Sequence, residues 1–168
     1  SDGPEKFIWG KEQSRWLRET LLGSDATFKI IFSPTPIIGP DKLPTQDNHT
    51  SGFQYEREVF LTWLKENKVK NLYIIVGDSH WKYHSKHPFG FEEFSAGALD
   101  PSNAIRAAIA GRPNTTDPKG EIQQLYVDAE PLGGFLYITV RSGELEFSFY
   151  DSEGNQLYQA TPVGTHGG

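Results

Sequence analysis

The residues best placed to do chemistry stand together in Gly77-Asp78-Ser79-His80. They follow Leu72 to Val76, an unbroken apolar run of β-forming side chains, which predicts a strand buried on both faces of a largely parallel sheet. In open α/β folds, ligands gather where such strands end. An aspartate and a histidine two residues apart there can both turn inward. They would offer an oxygen and a nitrogen to one metal or to two neighbouring metals. The competing reading is a polar turn in which Asp78 caps the next segment and His80 is a surface residue; a four-residue match does not choose between them.

Two further groups have the right residue types. Asp47-Asn48-His49 lies in a loop of turn-formers running from Ile37 to Gly52. Long loops in compact domains are commonly functional, and the alternative is an Asx-turn followed by a surface histidine. His80, His84 and His87 have the four- and three-residue spacing that gathers ligands on a helix. Pro88 and Gly90 follow directly, however, so His84 and His87 are expected in a mobile, solvent-facing loop.

The elements that must position these groups alternate in type. Phe7 to Leu22 reads as an amphipathic helix with Trp9, Trp16, Leu17, Thr20 and Leu21 inward. Thr27 to Phe32 is a strand, ended by Ser33-Pro34-Thr35-Pro36. Phe53 to Val69 is a second helix with Val59, Phe60, Trp63 and Leu64 on its buried face and Glu56 among the outer residues. The strand Leu72–Val76 comes next, then a short strand from Phe91 to Ala96 and an alanine-rich helix from Pro101 to Ala110. Gly111 to Gly120 is a polar linker. Ile122–Val127, Phe135–Arg141, Glu144–Tyr150 and Gln156–Thr161 alternate apolar and polar residues and are joined by hairpin turns. They predict an antiparallel edge on the sheet system, with Asp128, Glu130, Glu144 and Glu146 on solvated faces. Val163 to Gly168 reads as a frayed tail. The fold class is α/β, a single domain over 1–168, divided into an α/β part at 7–120 and an antiparallel β extension at 121–163.

Composition narrows the function. With 168 residues and 22 aromatic side chains (Trp 4, Tyr 7, Phe 11) the chain can bury a sizeable core. A net charge of -6 argues against general nucleic-acid binding, which needs a basic footprint. No apolar run approaches the roughly 20 residues that span a bilayer. Cysteine is absent, which excludes disulfides, zinc–thiolate sites and thiol nucleophiles. Methionine is absent too, even at position 1, so the chain is expected to be processed or to be a piece of something longer.

Several separated stretches resemble one family in order along the chain. They are Trp9-Gly10-Lys11-Glu12-Gln13 with Trp16-Leu17, Phe32-Ser33-Pro34-Thr35-Pro36-Ile37 with Gly39-Pro40-Asp41, and Asp47-Asn48-His49. Gly77-Asp78-Ser79-His80-Trp81-Lys82-Tyr83, Phe91-Glu92-Glu93-Phe94-Ser95-Ala96-Gly97 and Gly133-Gly134-Phe135-Leu136 continue the series. Together they resemble the alkaline phosphatase D type (PhoD-like) of metallophosphoesterases. The resemblance implies a calcineurin-like sandwich, two sheets face to face with helices outside. It also implies hydrolysis of phosphate mono- and diesters by a metal cluster, iron with calcium. By motif match, Asp78 and His80 are metal ligands, and Asn48 and His49 are substrate-binding candidates bordering the same sheet edge. The broader superfamily often has a histidine where Asp78 stands, and another where this chain has Ser33-Pro34.

The family's early motifs, an Asp-rich strand end, a Gly-Asp-x-x-Asp stretch and a Gly-Asn-His stretch, are not found in this sequence. The chain therefore resembles the C-terminal portion of such an enzyme, with a half-built metal site and one sheet short of the sandwich. A phosphate ester and the N-terminal half of the same parent protein are the implied partners, with export implied at family level. Self-association through an uncovered sheet face is a further expectation. The alternative to an enzyme is a non-catalytic α/β binding or assembly module.

Overall fold

The computed structural model describes residues 2–45 and 47–162. The C-terminal stretch 163–168, expected as a frayed tail, lies outside the described residues. The first helix, α1, spans Gly10–Gly23 and leads into β1, Lys29–Ser33. Helix α2, Gln54–Glu66, leads into β2, Leu72–Val76, all five of whose residues are buried. Then come β3 (Lys82–Lys86), β4 (Glu92–Ala96), a 3₁₀ turn at Pro101–Asn103, and β5 (Gln123–Val127). The chain ends in β6 (Gly134–Arg141), β7 (Glu144–Asp151) and β8 (Gln156–Ala160).

Five strands form one sheet in the order β1-β2-β4-β3-β5, and β6-β7-β8 form a second. The pairs β1–β2 and β2–β4 are parallel, whereas β3 runs antiparallel to both β4 and β5. The period of two along β2 sorts its side chains between two cores. Leu72, Ile74 and Val76 join Leu21 of α1 and Phe60, Leu61 and Leu64 of α2. Tyr73 and Ile75 join Phe94 with Leu145, Phe147 and Phe149 of β7. Aromatic stacking knits the second core, with Phe94 and Phe147 ring centroids 4.0 Å apart. Helices cover one face of the larger sheet and the smaller sheet covers the other.

Several expectations are corrected. The sheet face expected to lie open is covered by β6–β8 of the same chain, which form a separate layer rather than an edge of the first sheet. The segment holding His84 is no loop. It is β3, with His84 buried between the sheets and His87 buried just beyond its end. His84 stacks on Phe94 at 4.0 Å, and its ring nitrogens sit 3.1 Å from the Tyr158 hydroxyl and 3.0 Å from Glu92. The helix expected over Pro101–Ala110 is only the 3₁₀ turn. Beyond it the Gln124 side chain accepts from Ala110 N–H and donates to the Ala108 carbonyl, satisfying extended backbone without a helix. In α2 the buried face is rotated: Leu61 is inside, Val59 is exposed, and Glu56 is buried. Trp16 of α1 is also exposed. Asp128 does not face water; it pairs with buried Lys82 at 3.1 Å.

Candidate metal centre

The ends of β1 and β2 are drawn together where the chain leaves the sheet. Gly77 N–H donates to the Ser33 carbonyl at 3.2 Å. A side chain at Gly77 would come within 3.1 Å of the Pro34 carbonyl oxygen, so only glycine fits this approach without a shift. Ser79 N–H donates back to the Gly77 carbonyl at 2.7 Å, closing a tight turn around Asp78. Asp78 takes a left-handed φ of 65°, uncommon outside glycine but tolerated by aspartate. Backbone strain of this kind collects at ligand sites. The turn leaves Asp78 and His80 exposed and buries Ser79 between them.

His80 is oriented by its own backbone neighbours. Its Nδ1 lies 2.7 Å from the Asn103 carbonyl oxygen. A carbonyl can only accept, so Nδ1 carries a hydrogen, and in the neutral ring Nε2 is the nitrogen with the lone pair. Among the described residues Nε2 has no protein partner. The Asn103 carbonyl belongs to the 3₁₀ turn, which Asp100 caps by accepting from Ser102 N–H at 2.8 Å. Ile105 N–H donates to the His80 carbonyl at 3.2 Å, fastening the same two segments again. A histidine held through Nδ1 to a carbonyl is the form in which imidazole ligates metals through Nε2.

A second carboxylate stands close by. Burial raises the pKa of Asp41, hydrogen bonds from Lys42 N–H and the Asn48 amide oppose this, and the charge of Asp78 raises it further. Lys42 lies at the same rim, its Nζ 5.4 Å from the centre of the Trp81 ring. Among the described residues no group of three or more histidine, aspartate or glutamate side chains is arranged to hold a metal. Asp78 and His80 offer one oxygen donor and one nitrogen donor and do not make a ligand set by themselves.

The loop that carries Asp41 is pinned from inside the sheet. Glu93 of β4 is fully buried. Its Oε2 accepts from Ile37 and Ile38 N–H and its Oε1 from Gly39 N–H, all at 2.8 Å. The Tyr83 hydroxyl donates to the same Oε1 at 2.8 Å. Burial pushes the Glu93 carboxyl pKa up, and these donors pull it back. Ile37 and Ile38 are thereby held inside the helix-side core.

Asn48 and His49 are both fully buried. Asn48 Oδ1 accepts from Thr50 N–H at 2.9 Å and from its hydroxyl at 2.7 Å, an Asx-turn. Its amide nitrogen donates to Asp41 Oδ2 at 2.7 Å. His49 Nε2 lies 3.1 Å from Glu56 Oε2, and its ring packs on Trp9 at 4.4 Å. Glu56 also accepts from Ile8 N–H at 2.8 Å, so one carboxylate ties the loop, α2 and the lead-in to α1. Burial lowers the pKa of His49. The surface-histidine alternative does not hold for His49. Sequence reasoning had no role for Glu93, Asp41, Glu56 or Asn103. Period-two alternation in β4 gave a signal for Glu93, which shares a face with Phe91. The Asn103 carbonyl is a backbone group and leaves no trace in residue type.

Comparison with known proteins points one way. The family model described as PhoD-like phosphatase matches residues 1–146. Alkaline phosphatase D of Bacillus subtilis (strain 168) is 24% identical over 130 residues, which is 74% of this chain and 22% of that protein. The solved structure of PhoD superposes with a TM-score of 0.68 at 18% identity, over 95% of this chain and 33% of that one. The likeness of structure shows a shared fold, and the chain spans a third or less of either relative.

Proposed function

The chain belongs to the PhoD-like phosphatase family, and from that premise we propose that it is the part of a metal-dependent phosphate-ester hydrolase that supplies Asp78 and His80 to the metal centre. The His80 ring carries the reading: Nδ1 is committed to the Asn103 carbonyl at 2.7 Å, and Nε2 of this exposed residue has no partner among the described residues. Asp78 suits a hard, oxygen-seeking cation and His80 a nitrogen-tolerant one. Calcium and iron are the pair expected from the family resemblance. Bound metals would lower the pKa of water and neutralise charge on the phosphoryl oxygens.

The chain's own residues position these ligands. Asn103 fixes the rotation of His80. The loop held by Glu93 carries Asp41, whose carboxyl feels the charge of Asp78, and Asn48 holds Asp41 in turn. In this reading Asn48 and His49 serve the substrate side of the site by holding that loop in place rather than by direct contact. Two ligands do not complete a metal cluster, so the others come from polypeptide that this chain does not match. The 168-residue chain is then weakly active or inactive by itself. The substrates in this reading are mono- and diesters of phosphate, and the net charge of -6 argues against a nucleic acid among them. No helix among the described residues is long and apolar enough to cross a membrane; export remains part of the proposal through the family.

The test is hydrolysis of p-nitrophenyl phosphate and bis(p-nitrophenyl) phosphate with added calcium and iron. The full translation product that contains this chain should turn over at least one ester, and the 168-residue chain neither. Robust turnover by the short chain would refute its incompleteness. A metal-loaded full product inert to both esters would refute the hydrolase reading.

A further inference from the structure

Three cations of α1 stand without a counter-charge. Residues three and four apart share a face of a helix, so Lys11, Arg15 and Arg18 make one stripe along α1. Among the described residues none of the three has an ion pair or a hydrogen-bond partner. Facing the stripe, α2 presents Tyr55, Val59 and Trp63, each four residues from the next and so on one face of that helix. Between the two lies a groove of about 420 Å³ that all six residues line. Tyr55 and Val59 are open to solvent, and the Arg18 guanidinium sits over the Trp63 ring, 5.3 Å from its centre. Arg18 Nε is buried with no hydrogen-bond partner.

The chain carries 22 carboxylate side chains, yet of these only Glu19 and Glu56 line the groove. Glu56 is committed to His49 and the Ile8 N–H, and Glu19 pairs with none of the cations. The groove therefore has a cationic wall and an aromatic one. Its volume lies in the range that takes an organic molecule, roughly 300–1,000 Å³. Phenol and indole rings stack on flat apolar bodies, and a guanidinium already over one ring extends that plane. Charge selects the rest of the ligand. A cation would be repelled by the stripe, and a neutral molecule would leave it unused. An anionic oxygen would meet Lys11 and Arg15, both exposed and free to turn, and would give the Arg18 Nε hydrogen an acceptor.

We propose that the groove between α1 and α2 is a binding site for a small aromatic anion, a molecule with one acidic head group and a flat apolar body. The body lies against Tyr55, Val59 and Trp63, and the head group meets the Lys11–Arg15–Arg18 stripe. None of these six residues belongs to the Asp78 turn, to the Asn103 segment that orients His80, or to the loop held by Glu93. The site needs no metal and no hydrolysis, so it goes beyond the hydrolase reading and does not rest on it.

The probe is 2-naphthalenesulfonate, which stays ionised at any working pH and contains no ester to hydrolyse. Isothermal titration calorimetry of the 168-residue chain without metal should show saturable binding. The neutral 2-naphthalenesulfonamide should bind about tenfold more weakly, because it leaves the stripe unpaired. Octanesulfonate carries the same head on a flexible chain and should lose about tenfold as well, through the ordering of that chain. Lys11→Glu/Arg15→Glu reverses two exposed charges, so the variant should fold as the parent does by circular dichroism. Its affinity for the sulfonate should fall by about tenfold or more. Lys70→Glu/Lys119→Glu makes the same change in net charge at exposed lysines outside the groove, and should shift affinity by about twofold at most. Absence of saturable binding, equal affinity for sulfonate and sulfonamide, or equal losses in the two double variants would overturn the proposal. Octanesulfonate binding as tightly as the naphthyl probe would overturn the aromatic body and assign the groove to lipid-like anions. Sulfonate binding as expected, in a chain whose full translation product hydrolyses no ester, would sink the hydrolase reading and leave this inference standing.

Discussion

Replacing Glu93 by glutamine keeps the shape of the side chain and removes what the Ile37–Gly39 loop is fastened to. The carboxylate takes four donors, two at each oxygen. In the amide, the carbonyl oxygen can keep the Ile37 and Ile38 N–H groups. The NH₂ group then meets Gly39 N–H, donor against donor. The Tyr83 hydroxyl can rotate to accept, so one buried N–H is left without a partner and three bonds lose their ionic component. An orphaned buried donor costs about 1–3 kcal/mol, and hydrogen bonds to charged groups contribute about 1.5–3 kcal/mol each against about 1 for neutral ones. The expected destabilisation is therefore about 2–4 kcal/mol, a large part of the stability of a domain this size. The assay is equilibrium urea unfolding of the 168-residue chain followed by circular dichroism and tryptophan fluorescence. Tyr83→Phe removes only one donor and should cost about 1–2 kcal/mol. The double variant should cost less than the sum, because the two share an oxygen. A Glu93→Gln midpoint unchanged within error, at an unchanged slope, would refute the claim that this carboxylate holds the loop.

Three further outcomes follow from the same geometry. Asp128→Asn removes the counter-charge of Lys82 and leaves it only neutral acceptors, the Leu132 and Gly133 carbonyls and one amide oxygen, in a buried site, and should destabilise by about 3–5 kcal/mol in the same unfolding assay. Phe147→Ala opens a hole between the two sheets and should cost about 3–5 kcal/mol, which differential scanning calorimetry would register as a clear loss of Tm. His49 has its pKa lowered by burial, so the unfolded chain binds its proton first as pH falls. Its contribution to stability is complete above the ordinary histidine pKa and is lost as pH drops through the depressed folded value. Unfolding free energy measured from pH 7 to 5 should fall less steeply in His49→Gln than in the parent chain.

Much of the fold is legible in the sequence where one segment decides its own structure. The apolar run of β2 and the glycine and proline around β1 announce themselves, as does the hairpin rhythm of β6–β8. The exposed placement of Asp78 and His80 at the end of a buried strand is legible for the same reason. What failed depended on partners distant in the chain. His84 and His87 read as loop residues because Pro88 and Gly90 follow, yet His84 lies in buried β3 beside Lys82 and Ser85. The Lys82 and His84 side chains meet Asp128 and Tyr158, more than forty residues away. The alanine run after Pro101 has helix propensity, but Gln124 and the His80 carbonyl satisfy it as extended chain. Glu56 looks like an outer-face residue until His49 and the Ile8 N–H converge on it. The phase of α2 follows that convergence.

The central claim is that the exposed pair after β2 holds a cation for phosphate chemistry. The most direct measurement is metal content by plasma mass spectrometry, taken together with ester turnover, on the full translation product carrying Asp78→Asn or His80→Gln. Both side chains are exposed, so the variants should still fold. Metal stoichiometry should drop, and turnover should fall by a factor of about 100 or more, the scale of an electrostatic contribution to a charged transition state. Variants that keep full metal content and full turnover would contradict the account.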